Sequence, residues 1–450
     1  MSVNIDIALS SEEFESRFGR KKTVGMFTLG CKVNQYETNA MEDIFEKNGY
    51  EIVDPEEFAD IYVINSCTVT HISDRKSRQF LRRAKRTNPD SIIAVTGCYS
   101  QVAPDEVAKI EEVDVIVGTK DKSKIVQIIE GCTPGEKTVK VENVMKLKTF
   151  EEMHIEHMRG KTRAFIKIQD GCNRFCSYCI IPYARGGVRS RSIDNIVSEV
   201  RELARTGFKE IVLTGINMAC YGDDLDGDRI IDVIRAVHEI DGIERIRMSS
   251  VEPDMMSREF VSQMASLHKV CPHFHLSIQS GCDDTLKRMN RRYTASEVME
   301  AANALREHFK DVALTTDIIV GFPGETDEEF EKTHEFLREI ELFQMHIFKF
   351  SPRKGTPAAK MKEQINPQIK SSRSEKLIAL SQVNTDRFME NLMGREADVL
   401  FEKEIMPGIY EGHTSNYVKV VSRSSENIEG IIKKVKLNEI KEGKIEGILI

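Results

Sequence analysis

A chain of 450 residues, 40% of them hydrophobic, has room for about three domains, each with its own core. Ten cysteines are too sparse for a secreted disulfide framework, the N-terminus does not read as a signal peptide, and no apolar run approaches the ~18 residues of a membrane span. We expect a cytoplasmic protein with no membrane partner and with thiols available to bind metal. The formal net charge of −8 argues against a generic nucleic-acid binder, so any RNA contact must come from local basic patches.

From Val24 to Glu130 short apolar runs alternate with amphipathic ones. Val24–Leu29 reads as a strand and Gln35–Lys47 as a helix. Ile61–Ile64 is a strand, followed by a helix from about Ser73. Ile92–Val95 is a strand, Val102–Ile110 a helix, and Val113–Val117 with Lys124–Ile129 completes the series. This βαβ rhythm predicts an open parallel sheet of the flavodoxin-like, doubly wound kind. Three of its strands end alike: TLGC at Cys31, INSC at Cys67 and VTGC at Cys98. Ligands bind past the carboxyl ends of such strands, so three cysteines distant in sequence are expected at one edge. Any one of them alone reads equally as a buried core thiol. Together they read as a metal site, a three-thiolate iron–sulfur cage with one open iron. Cys132, Cys220, Cys271 and Cys282 fall outside the pattern and read as structural.

Residues 134–162 look like a charged linker, and a second rhythm then begins. Strands are expected at Ala164–Ile168, Glu210–Leu213, Arg245–Met248, Phe274–Ile278, Val312–Ile319 and Met345–Phe350. Helices are expected between them, as at Ile193–Arg205, Ile230–Ile240, Ala295–His308 and Asp327–Ile340. Six βα repeats suit an incomplete (βα)6 barrel, whose chemistry gathers at the carboxyl ends of the strands. Just past the first strand stands CNRFCSYC, with Cys172, Cys176 and Cys179 at CxxxCxxC spacing. A closed zinc site takes four ligands, whereas three thiolates on a four-iron cluster leave one iron open to another ligand. A zinc knuckle, or plain reduced loop cysteines, is the competing reading. Polar groups recur at the later strand ends, around Gly215 and Asn217, Ser249 and Glu252, Gln279, and Gly321. After a helix over Ile369–Asn391, alternating runs (Ala397–Phe401, Tyr417–Val421, Ile428–Val435, Ile445–Ile450) predict a small antiparallel β-barrel.

Several blocks, in order, carry a resemblance: TLGCKVNQYET, INSCTVT, VTGCYSQ, DGCNRFCSYCIIPYARGGVRSR, HLSIQSG and DIIVGFPGET. The chain resembles the methylthiotransferases, radical S-adenosylmethionine (SAM) enzymes. Around Cys31, GCKVNQYE looks like the branch acting on threonylcarbamoyladenosine in tRNA, rather than those acting on isopentenyladenosine or a ribosomal protein. The resemblance implies a tail (1–21), an N-terminal methylthiotransferase domain (22–133), the linker (134–162), a radical SAM core (163–390) and a TRAM RNA-binding domain (391–450). It implies two [4Fe-4S] clusters, on Cys172, Cys176 and Cys179 for SAM and on Cys31, Cys67 and Cys98 for the auxiliary one. The candidate SAM contacts are then Tyr178, Gly215, Asn217, Ser249, Glu252, Gln279 and Gly321.

The resemblance further implies that the barrel cluster splits SAM reductively and that the auxiliary cluster, facing it across a domain interface, carries the sulfur. Radical chemistry of this kind belongs to cofactors, so no side-chain acid or base is expected. The implied partners are the tRNA anticodon loop and an electron donor such as flavodoxin or ferredoxin; the sulfur source is unknown. Basic residues offered to RNA are Arg75–Arg86, then Arg185, Arg189 and Arg191, then Lys287, Arg288, Arg291 and Arg292, with Tyr417, Val418 and Lys419 of the last domain. A merely solvated helix face, a capping domain without ligand, and a non-catalytic iron–sulfur RNA sensor remain as competing readings.

Overall fold

The computed structural model describes residues 9–450 except 69, 70, 134, 157 and 159–161, and of residues 71–74 only the backbone. The chain divides into two compact units. One comprises Met1–Met158, Gln169–Phe175 and Cys179–Arg191; the other comprises Arg159–Ile168, Cys176–Tyr178 and Ser192–Ile450.

In the first unit, helix α1 (Ser11–Phe18) lies where a tail was expected; a Ser10–Glu13 capping box starts it and Phe14 anchors it. Then come β1 (Thr23–Thr28), α2 (Lys32–Lys47), β2 (Glu51–Val53), β3 (Ile61–Ser66), α3 (His71–Thr87) and β4 (Ile92–Gly97). Helix α4 (Cys98–Val102) comes next, and the helix expected over 102–110 is the shorter α5 (Pro104–Ala108). Pro104 has no N–H to continue a helix and disfavours helical backbone at Ala103. Strand β5 (Val115–Val117), helix α6 (Ile125–Glu130) and strand β6 (Thr138–Lys140) complete a parallel sheet in the order β2-β1-β3-β4-β5-β6. Strands β3 and β4 are buried at every residue, as unbroken apolar runs require of central parallel strands. The stretch read as a linker supplies β6 and is stitched to this unit. Tyr36 Oη donates to Met153 O, and the Ser123 hydroxyl donates to Glu151 at 2.8 Å.

Strand β7 (Arg163–Asp170) runs from the second unit into the first, where α7 (Ile181–Arg185) and β8 (Arg189–Ser190) follow it. The second unit continues with α8 (Ile193–Arg205), β9 (Glu210–Gly215), α9 (Ile230–His238), β10 (Arg245–Met248), α10 (Arg258–Ala265) and β11 (His273–Gln279). After these come α11 (Asp283–Arg288), α12 (Ala295–His308), β12 (Ala313–Val320), α13 (Asp327–Ile340), β13 (Gln344–Lys349) and α14 (Pro367–Glu390). The strands form two ribbons, β10-β9-β7-β8 and β11-β12-β13. They join where Val251 N donates to His275 O and Ser277 N to Val251 O, each at 2.9 Å, giving the expected curled half-barrel.

The chain ends in β14 (Glu396–Met406), β15 (Ile409–Thr414), β16 (Lys419–Arg423), β17 (Ile432–Lys441) and β18 (Lys444–Leu449), closed as β14-β15-β16-β18-β17. The expectation of a wholly antiparallel barrel is corrected here, since β16 and β18 run parallel, with Val420 opposite Ile445. Five strands in a ring cannot alternate direction throughout, so one pair must run alike. Strand β15 escaped notice because Glu411, Gly412 and His413 interrupt its apolar pattern. Val399, Phe401, Val420, Val435 and Ile445 fill the barrel and share a core with Met389 and Leu392. Among the described residues no helix is long and apolar enough to cross a membrane.

Candidate iron–sulfur and SAM site

Strands β1, β3 and β4 are neighbours in the sheet, and each delivers a cysteine just past its carboxyl end. Cys31 is the N-cap of α2, Cys67 follows Ser66, and Cys98 opens α4. Two glycines let these ends crowd together. A Cβ on Gly30 (φ +122°) would lie 3.0 Å from Cys67 Cβ, and one on Gly97 (φ +99°) would meet Ser66 O at 2.4 Å. Asn34 ties the loops, its Nδ2 donating to Leu29 O at 2.9 Å and Ser66 O at 3.1 Å while its Oδ1 accepts from Cys31 Sγ at 3.7 Å. None of the three is in a disulfide, and Cys31 is exposed while the others are buried. Burial pushes the Cys98 thiol up; Arg185 is the strongest charge opposing it, and Cys31 is close enough to act on it too. The trio thus stands at one sheet edge, where the strand endings led us to expect it, but sequence reasoning missed Asn34. Its signal was the spacing: three residues after an N-cap cysteine, on the same turn of helix.

Cys172, Cys176 and Cys179 lie on the loop that follows β7. Cys172 N donates to Gly186 O at 3.0 Å, and Cys172 Sγ accepts from Arg174 N at 3.4 Å. Ser177 is pinned by bonds from its N to Met289 O (2.9 Å) and from its hydroxyl to Arg288 O (2.8 Å). Arg291 Nη1 donates to Cys176 Sγ at 3.3 Å and to Glu252 Oε1 at 3.1 Å, and Nη2 donates to Ser277 O at 2.6 Å. Each trio offers three thiols with no fourth cysteine nearby in the chain, one short of the four ligands that a closed zinc site takes.

The candidate SAM contacts all sit at the carboxyl ends of half-barrel strands or on the cysteine loop. Gly215 ends β9, and Asn217 two residues on accepts from Ala219 N at 3.1 Å. Ser249 follows β10, and its buried hydroxyl finds no partner among the described residues, a polar atom that a ligand would satisfy. Glu252 is less available than expected because it pairs with Arg291. Gln279 ends β11 at φ +68°, after a register shift that re-aims its side chain. Gly321 N donates to Glu325 Oε2 at 2.7 Å, and the Tyr178 ring meets Phe322 edge-on at 6.4 Å. The sequence did not point to a polar row on β11–β13. There His275 Nε2 lies 3.4 Å from Asp317 Oδ1, and His346 stacks on His275 at 5.8 Å. Only the register, with Asp317 opposite His346, reveals it.

The basic residues divide differently from the expectation. Arg185, Arg189 and Arg191 are buried, with Arg191 paired to Glu152 at 2.7 Å. Arg288 is held by Glu329 and Arg291 by Cys176 and Glu252, which leaves Lys287 and Arg292 exposed in that group. Val418 is core, and Tyr417 is stacked between His273 (4.8 Å) and His413 (4.6 Å) with Arg163 and Arg247 over its ring. Lys287 and Arg292 apart, these side chains are buried or already engaged inside the fold. On α3, by contrast, Ser77, Phe80, Leu81 and Ala84 turn inward while Arg75, Lys76, Arg78, Arg82, Arg83 and Arg86 stay exposed.

A three-cysteine loop past the first strand of a curled half-barrel defines the radical SAM class, and the Radical SAM superfamily model matches residues 166–337. Residues 23–118 match the Uncharacterized protein family UPF0004. The fold is similar to that of the radical SAM methyltransferase TsrM from Kitasatospora setae, at TM-score 0.57 and 14% identity over 76% of this chain and 77% of that one. Threonylcarbamoyladenosine tRNA methylthiotransferase MtaB of Bacillus subtilis is 41% identical over 92% of this chain and 93% of its own length. The Aquifex aeolicus MtaB is 40% identical over 91% and 99%, and tRNA-2-methylthio-N(6)-dimethylallyladenosine synthase of Acetivibrio thermocellus is 34% identical over 97% and 92%. The chain belongs to the MtaB-type tRNA methylthiotransferases, a family of radical SAM enzymes.

Proposed function

We propose that this enzyme converts N6-threonylcarbamoyladenosine beside the tRNA anticodon to its 2-methylthio derivative, with SAM and two [4Fe-4S] clusters. The observation that carries this is the pair of thiol trios, one at adjacent sheet ends and one on the loop after β7, in a chain more alike to relatives named for that substrate than to the dimethylallyladenosine synthases. The C2–H of adenine offers no acidic proton and no leaving group, so side-chain acid–base chemistry has no purchase on it. When bound, SAM and its cluster supply a radical able to remove such a hydrogen, and the second cluster supplies sulfur.

The chain's own residues bind and orient. Cys172, Cys176 and Cys179 would hold the SAM cluster, with the Arg291 guanidinium donating to Cys176 Sγ. Ser249, Glu252, Gln279, Asn217 and the backbone at Gly215 and Gly321 line the SAM pocket, with Tyr178 walling it. Cys31, Cys67 and Cys98 hold the auxiliary cluster, and the exposed arginines of α3 hold tRNA phosphates. On this reading residues 22–133 are the auxiliary-cluster domain, 163–390 the radical SAM core and 391–450 a TRAM RNA-binding domain. Electrons come from a flavodoxin- or ferredoxin-type donor, and the protein is cytoplasmic.

Mass spectrometry of tRNA nucleosides from a strain deleted for the gene, and lacking any paralogue, tests the substrate. Loss of the methylthio form of threonylcarbamoyladenosine is expected. Its persistence, with loss of 2-methylthio-isopentenyladenosine instead, would move the substrate to the other branch.

A further inference from the structure

Arg185 is completely buried at the end of α7, six residues after Cys179. Its Nη1 donates to Glu37 Oε1 at 2.6 Å and Asp170 Oδ1 at 3.2 Å, and its Nη2 to Asn34 Oδ1 at 2.8 Å and Glu37 Oε2 at 3.0 Å. Glu37 also accepts from Lys122 Nζ, itself completely buried, and Asp170 pairs with Arg189 at 3.4 Å. A charge buried this deeply costs several kcal/mol unless ion pairs and hydrogen bonds offset it. The Arg185 Nε–H is buried as well and has no acceptor among the described residues.

Arg185 belongs to the same compact unit as Cys31, Cys67 and Cys98. Among the charged groups acting on Cys98, Arg185 is the strongest. Through Asn34 it also reaches Cys31 Sγ and the carbonyls of Leu29 and Ser66, just ahead of Cys31 and Cys67. One guanidinium thus bears on the loops of all three cysteines. A four-iron cluster on three thiolates carries about one negative charge, which a nearby guanidinium would offset. Hydrogen bonds to sulfur and nearby charge are the means by which a protein orients such a cluster and sets its potential.

We propose that Arg185 is a positioning residue of the auxiliary cluster, giving its Nε–H to a sulfur of the cage and offsetting the cluster's charge. The proposal rests on the assignment of that cluster to Cys31, Cys67 and Cys98. It makes the residue that follows the SAM-cluster loop a structural member of the sulfur-bearing site.

The test uses the full chain with Cys172, Cys176 and Cys179 all replaced by alanine, so that only the auxiliary cluster assembles under anaerobic reconstitution. Labelled with 15N-arginine and reduced, this protein is expected to show nitrogen hyperfine coupling to the cluster in pulsed EPR. Adding Arg185→Lys should abolish the coupling and lower the reduction potential while about four irons per chain remain. Absence of coupling with Arg185 intact, or an unchanged potential in folded Arg185→Lys, overturns the proposal. The label tests it even where Arg185→Lys fails to fold. Failure of the triple-alanine chain to hold iron and sulfide overturns the cluster assignment itself, and is told apart by metal analysis.

Discussion

The guanidinium of Arg291 donates to Cys176 Sγ at 3.3 Å and, through the same nitrogen, to Glu252 at 3.1 Å. One cation therefore joins Cys176 to a carboxylate just past the end of β10. Replacing it with glutamine leaves Glu252 buried without its cation, at a cost of about 3–5 kcal/mol. We expect Arg291→Gln to melt earlier and to cleave SAM at least about tenfold more slowly, a barrier increase of about 1.4 kcal/mol or more. Its iron content should match wild type, since all six cysteines remain. Anaerobic assays of 5′-deoxyadenosine formation beside iron analysis check both statements.

We expect the two trios to divide the labour. Cys176→Ala should abolish SAM cleavage and tRNA modification together. Cys67→Ala should leave reductive SAM cleavage largely intact and remove sulfur insertion. The comparison is read from 5′-deoxyadenosine and from methylthiolated nucleoside in the same reactions. Equal loss of cleavage in both folded variants would refute the division.

Glu210, buried at the start of β9, gives stability a definite pH dependence. Burial would raise its pKa, but Arg247 at 2.7 Å, with Arg163 and Arg245, brings it down from 4.5 to about 2. A carboxyl depressed on folding stabilises fully above its unfolded pKa, and that contribution is lost as pH falls from about 4.5 towards 2. The contribution amounts to about 3 kcal/mol. Urea unfolding should show Glu210→Gln with a flatter stability curve across that window. At neutral pH the variant should be less stable by about 3–5 kcal/mol, because it leaves buried arginines unpaired.

The exposed face of α3 should govern the salt dependence of tRNA binding. Substituting Arg75, Arg78, Arg82 and Arg86 with glutamine should flatten the plot of log affinity against log salt by about 0.7–0.9 for each phosphate no longer neutralised. Filter-binding titrations at several salt concentrations measure the slope. An unchanged slope would place the RNA elsewhere.

Much of this site was legible in the chain because its chemistry falls at punctuation marks. Cys31, Cys67, Cys98 and Cys172 each follow an apolar run within a few residues, and glycines such as Gly30 and Gly97 mark where strand ends crowd. What was not legible depends on partners far away in sequence. Arg185 looked like a surface cation because nothing near it reveals Glu37, 148 residues earlier. Tyr417 looked like a stacking platform for bases, yet His273 and His413 already occupy its faces. Strands β2 and β6, of three residues each, are too short to show periodicity. The parallel closure of the last barrel follows from the number of its strands, and β15 hid that number.

The central claim is that six cysteines sort into two three-thiolate cages, each holding a four-iron cluster. Iron and acid-labile sulfide per chain after anaerobic reconstitution, measured on wild type and on the Cys31, Cys67 and Cys98 triple-alanine variant, test it most directly. The account predicts about eight irons with matching sulfide in the first and about four in the second. Four irons in wild type, or zinc in place of sulfide, would contradict it.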